Sequence, residues 1–137
     1  MTKTMEEKVA LVTGSAMGIG LACAEAFAKA GYITVLADIR KPGEQAEKLV
    51  AEGHKAVAYR CDVSNTQAVK EMIDWTVVTY GRLDAAINNA GIQTPQRPMA
   101  EITDDEFDRT VAVDLKGVWN CMRYEILQML KQGGGAI

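Results

Sequence analysis

Thr13-Gly14-Ser15-Ala16-Met17-Gly18-Ile19-Gly20 joins the apolar run Val9-Ala10-Leu11-Val12 to a helical pattern that starts at Leu21. A glycine-rich turn between a strand and a helix is an anion site. Glycine tolerates positive φ, and bare backbone N–H groups at the positive end of the helix dipole can meet a phosphate. The implied ligand is a nucleotide. The spacing is G-x-x-x-G-x-G, which the common dinucleotide fingerprint G-x-G-x-x-G does not describe. Taken by itself, the loop is equally compatible with a plain structural turn.

Outward from the loop, strand and helix signals alternate. The spacing predicts a first strand at Val9–Thr13, then a helix that turns Ile19, Ala22, Cys23, Ala26, Phe27 and Ala30 to one face, with Gly31 as its C-cap. Residues 32–38 are apolar nearly throughout, as in a parallel strand buried on both faces. A second helix starts at Pro42 and ends near Gly53, and residues 55–61 form strand three. Ser64 with Gln67 reads as a capping box for a third helix carrying Val69, Met72, Ile73 and Thr76 inward. Residues 83–88 make strand four, and Pro95 and Pro98 exclude regular structure from 92–102. Thr103 with Glu106 forms a further capping box, followed by helical spacing to Lys131 with a break or bend at 114–117. Gly133-Gly134-Gly135-Ala136-Ile137 reads as a turn and the first residues of a fifth strand.

This order predicts an α/β fold with a doubly wound parallel sheet, Rossmann-like, and right-handed crossovers. It is expected to be one domain over residues 1–137 that breaks off near the start of strand five. The chain has 137 residues and a net charge of −3 with no basic stripe, which gives nucleic acid and anionic membranes no electrostatic support as partners. Residues 1–8 are polar, and no apolar run approaches the roughly 20 residues that span a bilayer, so neither a signal peptide nor a membrane helix is expected. A cytoplasmic location follows. Cys23, Cys61 and Cys121 are widely spaced and odd in number, fitting neither a disulfide framework nor a zinc site. They read as free thiols, and His54, in a Gly-His-Lys turn, reads as a surface residue rather than the base of a Cys/His pair.

Asp38 ends strand two at the distance from the loop where a ribose-binding carboxylate belongs. Its charge would repel a 2′-phosphate and Met17 offers no cation to bind one, so NAD is favoured over NADP, with Arg40 and Lys41 weighing the other way. The bland alternative is that Asp38 caps a turn. Asp62-Val63 follows strand three and Asn88-Asn89-Ala90-Gly91 ends strand four, both at carboxyl ends of strands, where such sheets bind ligands. For Asp62 and Asn88 the alternatives are a helix-entry residue and a buried amide that satisfies backbone groups.

The glycine loop, Asp38, Asp62-Val63 and Asn88-Asn89-Ala90-Gly91, in that order, resemble the classical short-chain dehydrogenase/reductase family. The resemblance implies an NAD-dependent oxidoreductase that moves hydride between nicotinamide and a secondary alcohol or ketone. It implies that Gly14, Ser15, Met17, Gly18, Ile19 and Gly20 surround the pyrophosphate and that Asp38 holds the adenosine ribose. Asp62 would meet the adenine amino group beside the Val63 backbone. Asn89, Ala90 and Gly91 would flank the nicotinamide side, while Asn88 and Thr13 tie strand four to strand one. The family's catalytic serine and Tyr-x-x-x-Lys pair have no counterpart here: Tyr32, Tyr59, Tyr80 and Tyr124 are followed four positions later by Leu36, Val63, Asp84 and Gln128. A tyrosine needs a lysine-lowered pKa to exchange a proton near neutral pH, so this chain alone is expected to be inactive.

Asp114 stands where the family commonly has an asparagine of the proton relay, and an ionised carboxylate accepts hydrogen bonds but cannot donate them. It either impairs that relay or simply faces a helix bend. Asn120 is no substitute, since six helical steps put it about 120° away around the helix. The last helix carries Leu115, Val118, Trp119, Met122, Ile126, Met129 and Leu130, more apolar surface than one sheet face requires. It reads as part core and part subunit interface of a homo-oligomer, as the resemblance also implies. The competing function is a non-catalytic dinucleotide-binding or interaction module. A P-loop NTPase is disfavoured because Gly18 is followed by Ile19-Gly20 instead of Lys-Ser/Thr, and Asn88-Asn89-Ala90-Gly91 is not expected in a methyltransferase.

Overall fold

Four short apolar strands pair in parallel, and their order fixes where a ligand can sit. The computed structural model describes residues 7–137; residues 1–6, most of the polar stretch that argues against a signal peptide, lie outside the described residues. Strands β1 (Val9–Thr13), β2 (Ile33–Asp38), β3 (Ala56–Arg60) and β4 (Ala85–Asn88) form a sheet in the order β3-β2-β1-β4. The helices are α1 (Gly18–Lys29), α2 (Gly43–Ala51), α3 (Thr66–Tyr80), α4 (Asp104–Thr110) and α5 (Lys116–Gln132). The chain reverses its direction of winding at β1, whose partners are Ile33 to Ala37 on one side and Ala85 to Asn88 on the other. Such a switch point opens a crevice at the carboxyl ends of the strands. Past α5, Ala136 pairs in parallel with Ala85: its N–H donates to the Asp84 carbonyl and its carbonyl accepts from Ala86. The turn-and-strand reading of 133–137 is met there.

Side chains alternate across the strands and build one core on each face. Val12 and Leu36 pack with Ala24, Ala28 and Leu49 of α1 and α2. Val9, Leu11 and Val35 face Val69, Met72, Ile73, Cys121 and Met129 of α3 and α5. The inward residues read for α3 are its buried set, Val69, Met72, Ile73 and Thr76. The Thr103–Glu106 capping box forms at the start of α4, with each residue's side chain accepting from the other's backbone N–H.

Three local expectations are corrected. Helix α1 buries Gly20, Ala24 and Ala28, while Ile19, Ala22, Ala26 and Ala30 are exposed. Apolar residues are so dense from Leu21 to Ala30 that hydropathy sets no phase, and the contact at Gly20 sets it instead. There a Cβ would overlap the Gly14 carbonyl oxygen and approach the Asn89 side-chain amide. Helix α3 is capped by Asn65, whose Oδ1 accepts from Ala68 N–H at 3.0 Å, and not by Ser64, whose N–H and hydroxyl turn back to Asp62. Finally, of the break or bend read at 114–117 the break is absent, and the irregularity begins earlier. Residues Val111–Leu115 form one π-helical turn in which Lys116 N–H donates to the Val111 carbonyl. Gly20→Ala is expected to destabilise the fold by about 3 kcal/mol through overpacking against backbone, seen as a lower urea midpoint with an unchanged m-value.

Candidate functional site

The loop after β1 is built around backbone that approaches backbone. Gly14 has φ +66°, and a Cβ on it would stand 2.8 Å from Ala90 Cα. A side chain there would force β1 and β4 apart. Ser15, read as lining a pyrophosphate, is buried: its N–H and its hydroxyl both donate to the Ala37 carbonyl at 3.1 Å. The next residue is held through both of its backbone polar groups. Ala16 N–H donates to Asp38 Oδ2 at 3.1 Å, and the Ala16 carbonyl accepts from Gln45 Nε2 of α2 at 2.9 Å. Met17 and Ile19 are exposed, and α1 begins at Gly18 with no side-chain cap. Around a Cβ position at Gly18 there is open space. The first-turn N–H groups, which every helix leaves without intrahelical partners, begin at this open position.

Beside the loop lies a cleft of about 280 Å³ lined by Gly14, Asp38, Asp62, Val63, Gly91 and Val113, among others. Asp38 reaches it with both oxygens partly used, since Oδ1 accepts from Arg40 N–H at 3.0 Å. A carboxylate has about four lone-pair positions, which leaves two for a ligand hydroxyl pair. Asp62 takes Ser64 N–H and hydroxyl on Oδ1 at 3.0 and 2.7 Å, so it leads the chain into α3 while lining the cleft. Val63 is buried, and its carbonyl accepts from Asn120 Nδ2 at 2.8 Å. Asn120 Oδ1 in turn accepts from the Thr66 hydroxyl at 3.1 Å. Helix α5 comes this close because a Cβ at Gly117 would stand 2.6 Å from Val63 Cγ2. Asn120 and Gln45 are site-supporting residues that the sequence reading missed. Asn120 lies outside the apolar set read for this helix, of which Met129 alone is buried, while Gly117, Asn120, Cys121 and Glu125 form the rest of the buried face.

At the end of β4 two adjacent amides diverge, as the two-residue period of a strand requires. Asn89 Nδ2 donates to the Thr13 and Gly14 carbonyls at 3.2 and 3.1 Å, and Ala90 N–H donates to Thr13 Oγ1 at 3.2 Å. Thus Thr13 does join strand four to strand one: it pairs with Asn88 in the ladder, its hydroxyl also donates to the Ile87 carbonyl at 3.5 Å, and the side chain that meets its carbonyl is that of Asn89. Asn88 points the other way, and its Nδ2 donates to Glu125 Oε2 of α5 at 2.8 Å. Glu125 is fully buried. Burial pushes its carboxyl up to about 7, against the opposing effect of the Asn88 hydrogen bond. The remaining polar atoms of this pair, Asn88 Oδ1 and Glu125 Oε1, are buried with no hydrogen-bond partner among the described residues.

Asp114 sits in the π-helical turn, exposed, with Oδ1 accepting Ile92 N–H at 2.8 Å and standing beside Gly91. Burial raises the Cys61 thiol to about 11 and the Cys121 thiol further, so both stay protonated near neutral pH and neither is a nucleophile. Among the described residues no group of three or more His, Cys, Asp or Glu side chains could hold a metal ion. No described helix is long and apolar enough to cross a membrane.

The model of the short chain dehydrogenase family matches residues 8–137. The chain is 37% identical over 135 residues to the short chain dehydrogenase/reductase astE of Aspergillus oryzae, covering 96% of this chain and 52% of that protein. It is 35% identical over 126 residues to 2,5-dichloro-2,5-cyclohexadiene-1,4-diol dehydrogenase of Sphingobium indicum, covering 92% of this chain and 50% of that protein. The crystal structure of gox2181 superposes with a TM-score of 0.89 at 32% identity, covering 97% of this chain and 54% of that one. A metagenomic short-chain oxidoreductase in complex with NADP superposes with a TM-score of 0.85 at 30% identity, covering 93% of this chain and 59% of that one. The chain spans about half the length of the curated relatives it matches. With a parallel sheet, a glycine loop and a clamped end of β4 that agree with this match, the chain belongs to the short-chain dehydrogenase/reductase family.

Proposed function

We propose that the chain is the cofactor-binding part of an NAD-dependent oxidoreductase that interconverts a secondary alcohol and a ketone. Asp38 carries the reading. Its carboxylate lies at the end of β2, bonded to the Ala16 N–H of the glycine loop and retaining lone pairs for the two hydroxyls of an adenosine ribose. The uncapped N-terminus of α1 and the open space at Gly18 fit a pyrophosphate. Asp62 and Val63 line the cleft where an adenine would lie, and Ala90 and Gly91 line it on the nicotinamide side, which Asn89 flanks through its bonds to the glycine loop. When bound, nicotinamide supplies the hydride acceptor or donor. The chain's own residues bind and orient it, and Asp114 holds the Ile92 N–H beside the site. Relatives named as a cyclohexadienediol dehydrogenase and a cis-4-hydroxycyclohexanecarboxylate dehydrogenase support a hydroxyl-bearing substrate.

The choice of NAD rests on charge: an anionic Asp38 repels a 2′-phosphate, although Arg40 and Lys41 are close in sequence and the metagenomic relative binds NADP. Residues 1–137 contain no Tyr-x-x-x-Lys, so the proposed division of labour gives this stretch cofactor binding and leaves proton exchange outside it. Exposed Leu115, Trp119, Met122, Ile126 and Leu130 on and beside α5 support self-association, and the charge and membrane findings support a cytoplasmic role.

In calorimetric titrations NAD is expected to bind more tightly than NADP; the reverse order removes the NAD assignment. Asp38→Asn is expected to weaken NAD binding about tenfold and to narrow the gap to NADP, since hydrogen bonds to a charged acceptor are worth about 1.5–3 kcal/mol. The 137-residue chain is expected to bind NADH with no ketone-dependent loss of the NADH absorbance. Light scattering should find an oligomer that Trp119→Glu converts to a smaller species.

A further inference from the structure

Glu125 is a buried titratable group that the proposed chemistry does not use. It pairs with Asn88 through one hydrogen bond, Asn88 Nδ2 to Glu125 Oε2, and each partner keeps one buried oxygen without a hydrogen bond among the described residues. Both of these orphan atoms are acceptors when the carboxyl is ionised, and two buried acceptors cannot satisfy one another. One proton on Glu125 Oε1 changes the count. The carboxyl then has an O–H to donate to Asn88 Oδ1 while Oε2 keeps the Asn88 Nδ2 hydrogen, and a carboxylic acid and a primary amide are complementary in this way.

We propose that Glu125 is a positioning residue of the cofactor site, a neutral carboxylic acid that pairs reciprocally with the Asn88 amide and fixes the end of β4. The proposal rests on the cofactor reading for its consequence and on the pair itself for its chemistry. Asn88 is followed directly by Asn89, the amide that bridges the Thr13 and Gly14 carbonyls of the glycine loop. Anchoring Asn88 from α5 therefore anchors the clamp that shapes the loop. The cations of α5, Lys116, Arg123 and Lys131, are exposed, and Arg123 lies over the Trp119 and Tyr124 rings. β1 and β4 carry no charged residue, and the charged residues of α3, Lys70, Glu71 and Asp74, are exposed. Lys70 pairs with Asp74, and Glu71 accepts from Gln67. Asp114 is exposed in the π-helical turn, and on α5 itself Cys121 is the buried titratable neighbour, a thiol held protonated by burial. Burial also raises the Glu125 carboxyl to about 7, in accord with a neutral acid below that pH.

A carboxyl whose folded value lies above its unfolded value of about 4.3 stabilises the fold below the latter and loses that contribution as pH rises through the folded value. The parent chain should therefore lose thermal stability from about pH 5 to about pH 8 relative to Glu125→Gln, whose amide keeps both hydrogen bonds at every pH. Infrared difference spectra of parent against Glu125→Gln should contain the carbonyl stretch of an un-ionised carboxyl at about pH 5, fading through about pH 7. Glu125→Gln should bind NADH within about twofold of the parent at about pH 5, and Glu125→Leu, which strands the Asn88 amide, about tenfold more weakly. Absence of the un-ionised carboxyl band, or a Gln variant that binds as weakly as the Leu variant, overturns the proposal. If Glu125→Leu does not fold, the infrared band and the Gln variant decide. If the parent binds no nicotinamide nucleotide, the cofactor reading fails, and the pair is then judged on the band and the stability profile alone.

Discussion

The Asn89 amide holds the place where the sheet stops and the site begins. Past Thr13 and Asn88 the ladder between β1 and β4 ends, and the Thr13 and Gly14 carbonyls would have no strand partner. Buried backbone groups in that position need a replacement donor. One side-chain NH₂ supplies it to both carbonyls, and the Thr13 hydroxyl returns the favour by accepting Ala90 N–H. The strands can then be drawn together because Gly14 has no Cβ to meet Ala90. Loop shape, the start of α1 and one wall of the cleft all follow from this crossing.

Elements whose pattern and partner both lie close in sequence were legible. Helix α3 combines clear spacing with a moderate share of apolar residues, so its inward face followed from the sequence, and the Thr103–Glu106 cap needs only residues three apart. Helix α1 was not legible in phase, because Ala, Leu, Cys and Phe occupy nearly every side of it and a contact with a loop decides its rotation. The cap of α3 failed for a related reason: Ser64 and Asn65 are both good caps, and Asp62 claims the serine.

The site divides in the same way. Gly14, Asp38 and Asp62 to Val63 stand at strand ends, where spacing alone points to a ligand, and all of them line one cleft. The residues that hold them do not announce themselves. Gln45, Asn120 and Glu125 are single polar residues on helices, and what each does depends on a carbonyl or amide 29, 57 or 37 positions away. Asn88 and Asn89 illustrate the limit most directly: adjacent and chemically identical, they serve opposite faces of the sheet.

The π-helical turn at Val111–Leu115 acts as a phase shifter. Its one extra residue per turn rotates everything after it by about 100° relative to a regular continuation of α4. Arg109 before the turn and Ala112 and Val113 within it line the cleft, whereas Gly117, Asn120, Cys121 and Glu125 after it press against the sheet and the β3–α3 loop. A single helical rod thereby serves two different clients along its length. Its length in residues is consequently not adjustable there: removing one residue between Thr110 and Gly117 would turn Asn120 away from Val63 and Glu125 away from Asn88 in the same stroke, leaving α4 where it is.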